Sequence, residues 1–123
     1  MQRIEEEVAM RQDECVDLLS RSSVGRVVFT RHAIPDVLPV HFAYDDQSGT
    51  IRIPAPHASR LADAVDGTVV ALHVEELDPA TMSGRSVLVH GRAEAGTADA
   101  PIRLTPELIT GRVLALSRSG TSA

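Results

Sequence analysis

Residues 24–44 have the sequence VGRVVFTRHAIPDVLPVHFAY, and this stretch decides the fold class. Its first part, Val24–Thr30, is β-branched and aromatic and predicts a strand. Arg31–Asp36 predicts a connecting turn, and Val37–Tyr44 predicts a second strand. Pro39 lies inside that second strand and has no N–H to donate, so we expect an edge, a bulge or a ligand-facing site there.

More strands and two short helices are predicted around this stretch. The helices are predicted over residues 13–21, from one apolar stripe, and over residues 57–66. The other predicted strands are 50–53, 68–74 (buried on both faces), 86–93, and two final strands, 101–104 and 109–116, around a turn at Pro106. This count gives a mainly β (α+β) fold, a closed or nearly closed antiparallel barrel of six or seven strands with two short helices.

A chain of 123 residues fits a single domain. We assign residues 1–116 to that domain and expect 117–123 to be a frayed, flexible tail. The acidic run Glu5–Glu7 is expected to be a solvated terminus.

Composition excludes several classes of protein. The net charge of −5 and the pI of about 5.4 argue against nucleic-acid or anionic-membrane partners. No apolar run approaches the ~20 residues that cross a bilayer. A single cysteine, Cys15, fits a reducing cytoplasm. Since the chain has no lysine, all 12 of its fixed cations are arginines, which suit phosphate, and Schiff-base chemistry is excluded.

No catalytic constellation is evident. The five histidines lack metal-ligand spacing, so we predict no metal site. Cys15 lies on the apolar face of the first helix and is expected to be a packed structural thiol. The acidic residues are scattered rather than paired, and no nucleophile elbow, P-loop or dinucleotide fingerprint follows a strand.

The strongest local signal is Pro56-His57-Ala58-Ser59-Arg60-Leu61, where a strand ends and a helix begins. A hydroxyl and a guanidinium in the first turn of a helix can accept an anion. The alternative is that Ser59 caps the helix and Arg60 pairs with Asp63. The residues alone leave both interpretations open.

From about Asp13 to Arg112 the chain resembles the pyridoxamine 5′-phosphate oxidase-like family of flavin-binding split β-barrels. The order and spacing of several short motifs carry this resemblance: Glu14–Leu19, Val24–Val27, Leu38–Phe42, Ser59–Arg60, Ser86–Glu94 and Ile109–Arg112. The chain departs from the family in having Arg85 where many relatives have tryptophan and Arg60 where they have lysine. It also has only residues 96–100 where relatives carry a helix.

The resemblance implies a homodimer that holds FMN, or in one branch the 5-deazaflavin coenzyme, in grooves at the dimer interface. By position, Ser59 and Arg60 would bind the phosphate, with Arg52 as a second phosphate partner. The other residues that the resemblance assigns to the cofactor are Pro39, Val40, His41 and Phe42 along the ring, Ala55 and His57 under the ribityl chain, and Arg85 and Ser86 opening the long strand.

The sequence therefore predicts a cytoplasmic flavin-dependent oxidoreductase that acts on an unidentified small organic substrate. The flavin would supply the hydride chemistry, so no catalytic residue is assigned. The alternative is a barrel that carries or senses a flavin or another phosphorylated ligand without turnover.

Overall fold

The computed structural model describes residues 2–54, 59–96 and 100–119. Eight strands and two helices follow one another in this part of the chain: β1 (Gln2–Ala9), α1 (Gln12–Arg21), β2 (Val24–Arg31), β3 (Ile34–His41), β4 (Ala43–Asp45), β5 (Thr50–Ile53), α2 (Ser59–Val65), β6 (Thr68–Asp78), β7 (Ser83–Glu94) and β8 (Ile102–Ser119). The mainly β class and the two short helices are confirmed. Neither helix is long and apolar enough to cross a membrane.

All eight strands belong to one antiparallel sheet that curls into a half-barrel, as expected of a split barrel. The sheet order is β3-β2-β6-β7-β8-β5-β4, and β1 pairs with β8. Strand β3 lies at an end of this order and pairs with β2. The prediction of an edge position for Pro39 is therefore confirmed.

The two ends of the described chain differ from the sequence-based expectation. Glu5–Glu7 lies in the paired strand β1 rather than in an unpaired terminus, because β1 pairs with β8 beyond the point where β5 stops. Strand β8 reaches Ser119, three residues into the segment assigned to the tail, because Gln2–Ile4 pair with it there. Residues 120–123 lie outside the described residues.

The expected turn at Pro106 is a bulge instead. Strand β8 runs without a break for 18 residues. Gly91 is paired with Pro106 and the preceding His90 with Leu108, so one extra residue is absorbed in β8. A bulge accommodates a proline because the ladder is already interrupted there.

The helices cover one face of the sheet, which we call the inner face. Helix α1 buries Cys15, Leu18 and Leu19, which confirms the predicted stripe. Helix α2 buries Leu61 and Val65. The strands add their inward-facing aliphatic side chains, and no polar or charged side chain among the described residues is buried.

The close approach of α1 to β8 requires a residue without a side chain. A Cβ placed on Gly111 would lie 2.6 Å from the Cys15 sulfur and 2.9 Å from that of Met10. Burial is the main cause that raises the pKa of the Cys15 thiol, and the charge of Glu14 adds to it. As predicted, Cys15 is a packed thiol.

Candidate functional site

The opposite face of strands β3, β2, β6, β7 and β8, which we call the outer face, carries no helix in the described chain. Side chains alternate between the two faces along a strand. The strand register places Pro39, Arg26, His73 and Leu88 in one row across the outer face. The expectation that residues 68–74 are buried on both faces is wrong, because Val69 is 54% exposed there.

Four side chains form a polar cluster on the outer face: Arg26, His73, Glu75 and Ser86. The Arg26 guanidinium donates a hydrogen bond to Glu75 Oε1 at 3.0 Å. His73 Nε2 lies 2.7 Å from Ser86 Oγ in a partly buried position. Arg112 is the cross-strand partner of Ser86. The cluster therefore combines hydroxyl, imidazole, guanidinium and carboxylate groups within three neighbouring strands.

Apolar side chains lie beside the polar cluster on the same face. Val37, Val69 and Leu108 are each more than half exposed. Val28, Ala71 and His90 lie between Val37 and Leu108 in the register, and Val69 is two residues from Ala71 on β6. These residues, together with Leu88, form what we call the apolar patch. A flat apolar surface bordered by hydrogen-bonding groups is the usual composition of a ligand site or an interface.

His90 stands in the middle of the apolar patch. Its Nδ1 atom is inaccessible to solvent and has no hydrogen-bond partner among the described residues. Because strand alternation puts His90 and His73 on one face of adjacent strands, both imidazoles belong to this region. Among the described residues, no three His, Cys, Asp or Glu side chains are grouped as a metal site.

Three of the predicted site residues share the outer face. Pro39 and His41 alternate onto it from β3, and Ser86 from β7. The side chains of Val40 and Phe42 instead point into the core, where they are 9% and 4% exposed. Neither side chain is therefore available to a ligand on the outer face, and the Phe42 N–H already donates to the Ser23 carbonyl at 2.9 Å.

Arg52 lies at a different part of the sheet. It is paired with Arg103 of β8, whereas Ser86 is paired with Arg112. Nine residues along a strand correspond to about 30 Å. The structure therefore separates Arg52 from the polar cluster.

Arg85 alternates to the face opposite that of Ser86, and its cross-strand partner is Glu76. Glu76 also forms an ion pair with Arg21 at the end of α1. The Arg21 hydrogen bond is the main cause that lowers the pKa of the Glu76 carboxyl, and the charge of Arg85 contributes. Arg85 thus belongs to the electrostatic environment of α1 and the β6–β7 hairpin.

The predicted phosphate segment is described in part. Ala55 and His57 lie outside the described residues, and Ser59 and Arg60 form the start of the α2 backbone. Helix α2 has seven residues, so its dipole alone is a weak argument for an anion site. The assignment of these four residues to the cofactor stays a prediction.

A cleft of about 360 Å³ separates α2 from the turn between β2 and β3. Its lining residues are Thr30, Arg31, His32, Asp63 and Ala64. His32 and Ala33 form the turn, with φ of 51° and 63°. Such a turn favours Asn-Gly, and left-handed φ is strained for other residues. No glycine or asparagine marks this turn in the sequence, so the predicted turn, residues 31–36, is longer than the observed two-residue turn.

The sequence interpretation missed His73, Arg31 and His32 as candidate site residues. From the sequence, His73 is one of five histidines without metal-ligand spacing, and Arg31 and His32 lie in the predicted connecting turn. Strand alternation alone could have put His73 and Ser86 on outward positions. Their contact depends on the β6–β7 register, which the sequence does not specify.

Comparisons with known proteins identify a family and a curated relative. The family model for pyridoxamine 5′-phosphate oxidase matches residues 11–120. The chain is 33% identical over 141 residues to the uncharacterized protein Rv0080 of Mycobacterium tuberculosis, covering 96% of this chain and 93% of that one.

Two solved structures have a similar fold. The FAD binding protein from Mycobacterium smegmatis is 26% identical with a TM-score of 0.76, over 88% of this chain and 98% of that one. An FAD-binding protein from Mesorhizobium loti has a TM-score of 0.75 at 18% identity, over 90% and 98% of the two chains.

Proposed function

The chain belongs to the pyridoxamine 5′-phosphate oxidase family, and on that premise we propose that it binds a flavin on the outer face, between two copies of the chain. We further propose that it works in the cytoplasm as an oxidoreductase on a small organic substrate. The observation that carries the proposal is the apolar patch lying directly beside the polar cluster.

The composition of the outer face fits the chemistry of a flavin ring. The ring is flat, its dimethylbenzene end is apolar, and its heteroatoms lie in the pyrimidine ring and in the central ring. The apolar patch offers aliphatic side chains such as Val28 and Leu88 for the flat surface. Ser86 and His73 offer a hydroxyl and an imidazole for the ring heteroatoms. Arg26 is held beside them by Glu75.

The phosphate of the flavin would lie at the cleft next to α2. Thr30 and Arg26 are both outward residues of β2, four positions apart, which corresponds to about 13 Å. A mononucleotide lying along β2 would therefore bring its phosphate to Thr30, Arg31 and His32, while its ring contacts the polar cluster. Asp63 lines the same cleft. Its carboxylate would accept a hydrogen bond from a ribityl hydroxyl rather than contact the phosphate.

We expect FMN as the cofactor. The M. smegmatis relative is an FAD binding protein, which supports a flavin of some kind. FAD and the 5-deazaflavin coenzyme share the same ring system and are the competing candidates. Mass spectrometry of the small molecule released from purified protein distinguishes them.

The second copy of the chain would cover the apolar patch. Val37, Val69 and Leu108 are more than half exposed in one chain, and burying them against a partner is favourable. A dimer formed there would also exclude water from the ring.

The first experiment measures bound flavin and oligomeric state together. Purified protein should absorb near 450 nm as a flavoprotein does, or take up added FMN, and should sediment as a dimer. Val69→Asp should produce monomers that lose flavin, because a carboxylate would be buried unpaired in the interface. Val8→Asp is the matched control, since Val8 is as exposed but lies on β1, outside the apolar patch. Colourless monomers that do not take up FMN, FAD or 5-deazaflavin would contradict the proposal.

A second candidate function is flavin binding without turnover. The polar cluster favours it, because its groups are already hydrogen-bonded to one another, Arg26 to Glu75 and His73 to Ser86. Reduction by NADH or NADPH, followed by reoxidation with a panel of small oxidants, separates the two candidates. Rapid turnover supports the oxidoreductase, and a flavin that stays oxidised supports the carrier.

A further inference from the structure

The two ring nitrogens of His90, in the middle of the apolar patch, have different surroundings. Nδ1 is inaccessible to solvent and has no partner in the described chain. The imidazole as a whole is half-buried and makes no hydrogen bond to another described residue, and its Nε2 is open to solvent on the outer face. The surroundings of each nitrogen decide its role in hydrogen bonding.

The proton of the neutral ring belongs on Nε2. A proton on Nδ1 would bury an N–H that has no acceptor, and orphaned buried donors are rarer in proteins than orphaned acceptors. The lone pair is therefore assigned to Nδ1. His90 then presents one N–H donor outward, and its acceptor nitrogen is sealed beneath the ring.

The neighbours of His90 on the outer face offer this donor no acceptor. Its cross-strand partners are Ala71 and Leu108, and Leu88 precedes it by two residues on β7. Arg92, two residues further along, is itself a donor, to the Gly67 carbonyl. In a single chain, water can accept from the His90 N–H. A molecule that covers the apolar patch displaces this water and must provide an acceptor, because an unmatched buried donor is costly.

A second copy of the chain does not provide that acceptor from its own apolar patch. The interface of a twofold dimer places the same surface on both sides. The opposite patch therefore presents another outward N–H, with its own acceptor nitrogen sealed, and two donors cannot pair with each other. A dimer closed over the two patches alone would bury two unmatched donors.

We propose that His90 makes dimer formation depend on a bound flavin, because a carbonyl oxygen of the flavin ring supplies the missing acceptor. This inference rests on the proposed function, in which the ring lies between two copies of the chain. A ring that extends from Val28 on β2 to Leu88 on β7 crosses two strand spacings, about 10 Å, and its edge then lies beside His90. Flavin and partner chain strengthen each other's binding by the same factor, since such coupling is reciprocal.

The first measurement is the dimer dissociation constant of the wild type by sedimentation velocity, for flavin-free protein and with saturating FMN. We expect FMN to lower this constant at least about tenfold. A wild type that binds FMN but dimerises equally well without it would overturn the inference and leave the proposed flavin binding standing. A wild type that binds no flavin would overturn both.

His90→Leu removes the donor and leaves no polar group to be matched. Its flavin-free form should dimerise at least about tenfold more tightly than the flavin-free wild type. The factor by which FMN tightens the dimer should fall at least about tenfold, because the flavin carbonyl no longer meets a donor. An unchanged factor would overturn the inference, since a gain in apolar surface alone would tighten the dimer equally with and without FMN.

Thr110→Val is the matched control for that gain in apolar surface. Thr110 is exposed on the outer face and is the cross-strand partner of Leu88, so the variant extends the apolar patch without changing His90. The factor by which FMN tightens its dimer should stay within about threefold of the wild-type factor. A fall as large as that of His90→Leu would show that the coupling does not depend on the His90 donor, and the inference would be wrong.

Discussion

The two faces of the sheet are formed by the same strands, but only one of them is covered by other described elements of the chain. On β6, Val70 is 4% exposed, while its neighbour Val69 is 54% exposed. The inner face is covered by α1 and α2, which bury Leu18, Leu19 and Leu61 against it. The outer face carries valine and leucine as well, yet no described element covers it.

The difference shows where the protein has surface left for a partner or ligand. A valine side chain that stays in contact with water does not gain the free energy of burial. It stabilises the protein only when another element or molecule covers it. On the outer face these valines lie beside two hydrogen-bonded polar pairs, whereas the ion pair on the inner side, Arg21 with Glu76, lies beside the end of α1. The inner face stabilises the fold, and the outer face is available for function.

The largest expected effect comes from the backbone that shapes the inner face. A Cβ on Gly91 would lie 2.1 Å from the carbonyl oxygen of Thr105. Gly91→Ala should therefore disrupt the bulge between β7 and β8 and lower the free energy of unfolding by about 3 kcal/mol or more. Urea denaturation measures the loss.

The matched control for Gly91→Ala is Gly84→Ala, on the same strand. There the nearest atom is the end of the exposed Leu77 side chain, at 2.4 Å, which can rotate away. We expect a loss of about 1 kcal/mol or less. Equal losses for the two variants would mean that the bulge is not rigid.

The next effect compares the two faces directly. Leu72→Ala, on the inner face, should cost about 2–5 kcal/mol, because Leu72 is fully buried. Val69→Ala, on the outer face, should cost less than about 0.5 kcal/mol in the monomer. Urea denaturation at low protein concentration is needed, because association adds to apparent stability. A large loss for Val69→Ala in the monomer would show that the outer face is already covered within one chain.

A smaller effect is expected from the polar cluster. His73→Ala and Ser86→Ala should each weaken flavin binding by about 1 kcal/mol, and the double variant by less than the sum, because the two groups share one hydrogen bond. Calorimetric titration of the wild type and three variants gives the coupling energy. Strict additivity would show that the two residues act independently, and His73→Gln should recover part of the loss.

The smallest effect concerns the exposed ion pair that links α1 to the β6–β7 hairpin. Because Arg21 lowers the pKa of Glu76, the pair stabilises the folded chain above the ordinary carboxyl pKa of 4.5 and loses that contribution as pH falls through the lowered value. Glu76→Gln should therefore lower the melting temperature slightly at pH 7 and leave it unchanged at pH 3. A difference that persists at pH 3 would exclude the charge as its cause.

Much of the fold could be predicted from local patterns. The stripe of Cys15, Leu18 and Leu19 predicted α1, and alternation with β-branched residues predicted the strands on both sides of residues 31–36. Pro39 predicted an edge, a bulge or a ligand-facing site, and the structure has it on an edge strand. The acidic segment of β1 could not be predicted as a strand, because its pairing depends on an edge of β8 more than a hundred residues away. The bulge at Pro106 could not be predicted for a similar reason. The sequence predicts a turn at this proline, and only its pairing with Gly91 of β7 identifies a bulge.

The sequence by itself determined the class of fold, the family motifs and the side chains available for chemistry, because these follow from local periodicity and residue type. The tertiary structure decided which of those side chains meet. It joined His73 to Ser86, separated Arg52 from both, and turned Val40 and Phe42 into the core. The physical reason is that strand register and sheet order are set by contacts between distant segments, and a shift of one residue exchanges the faces of a whole strand.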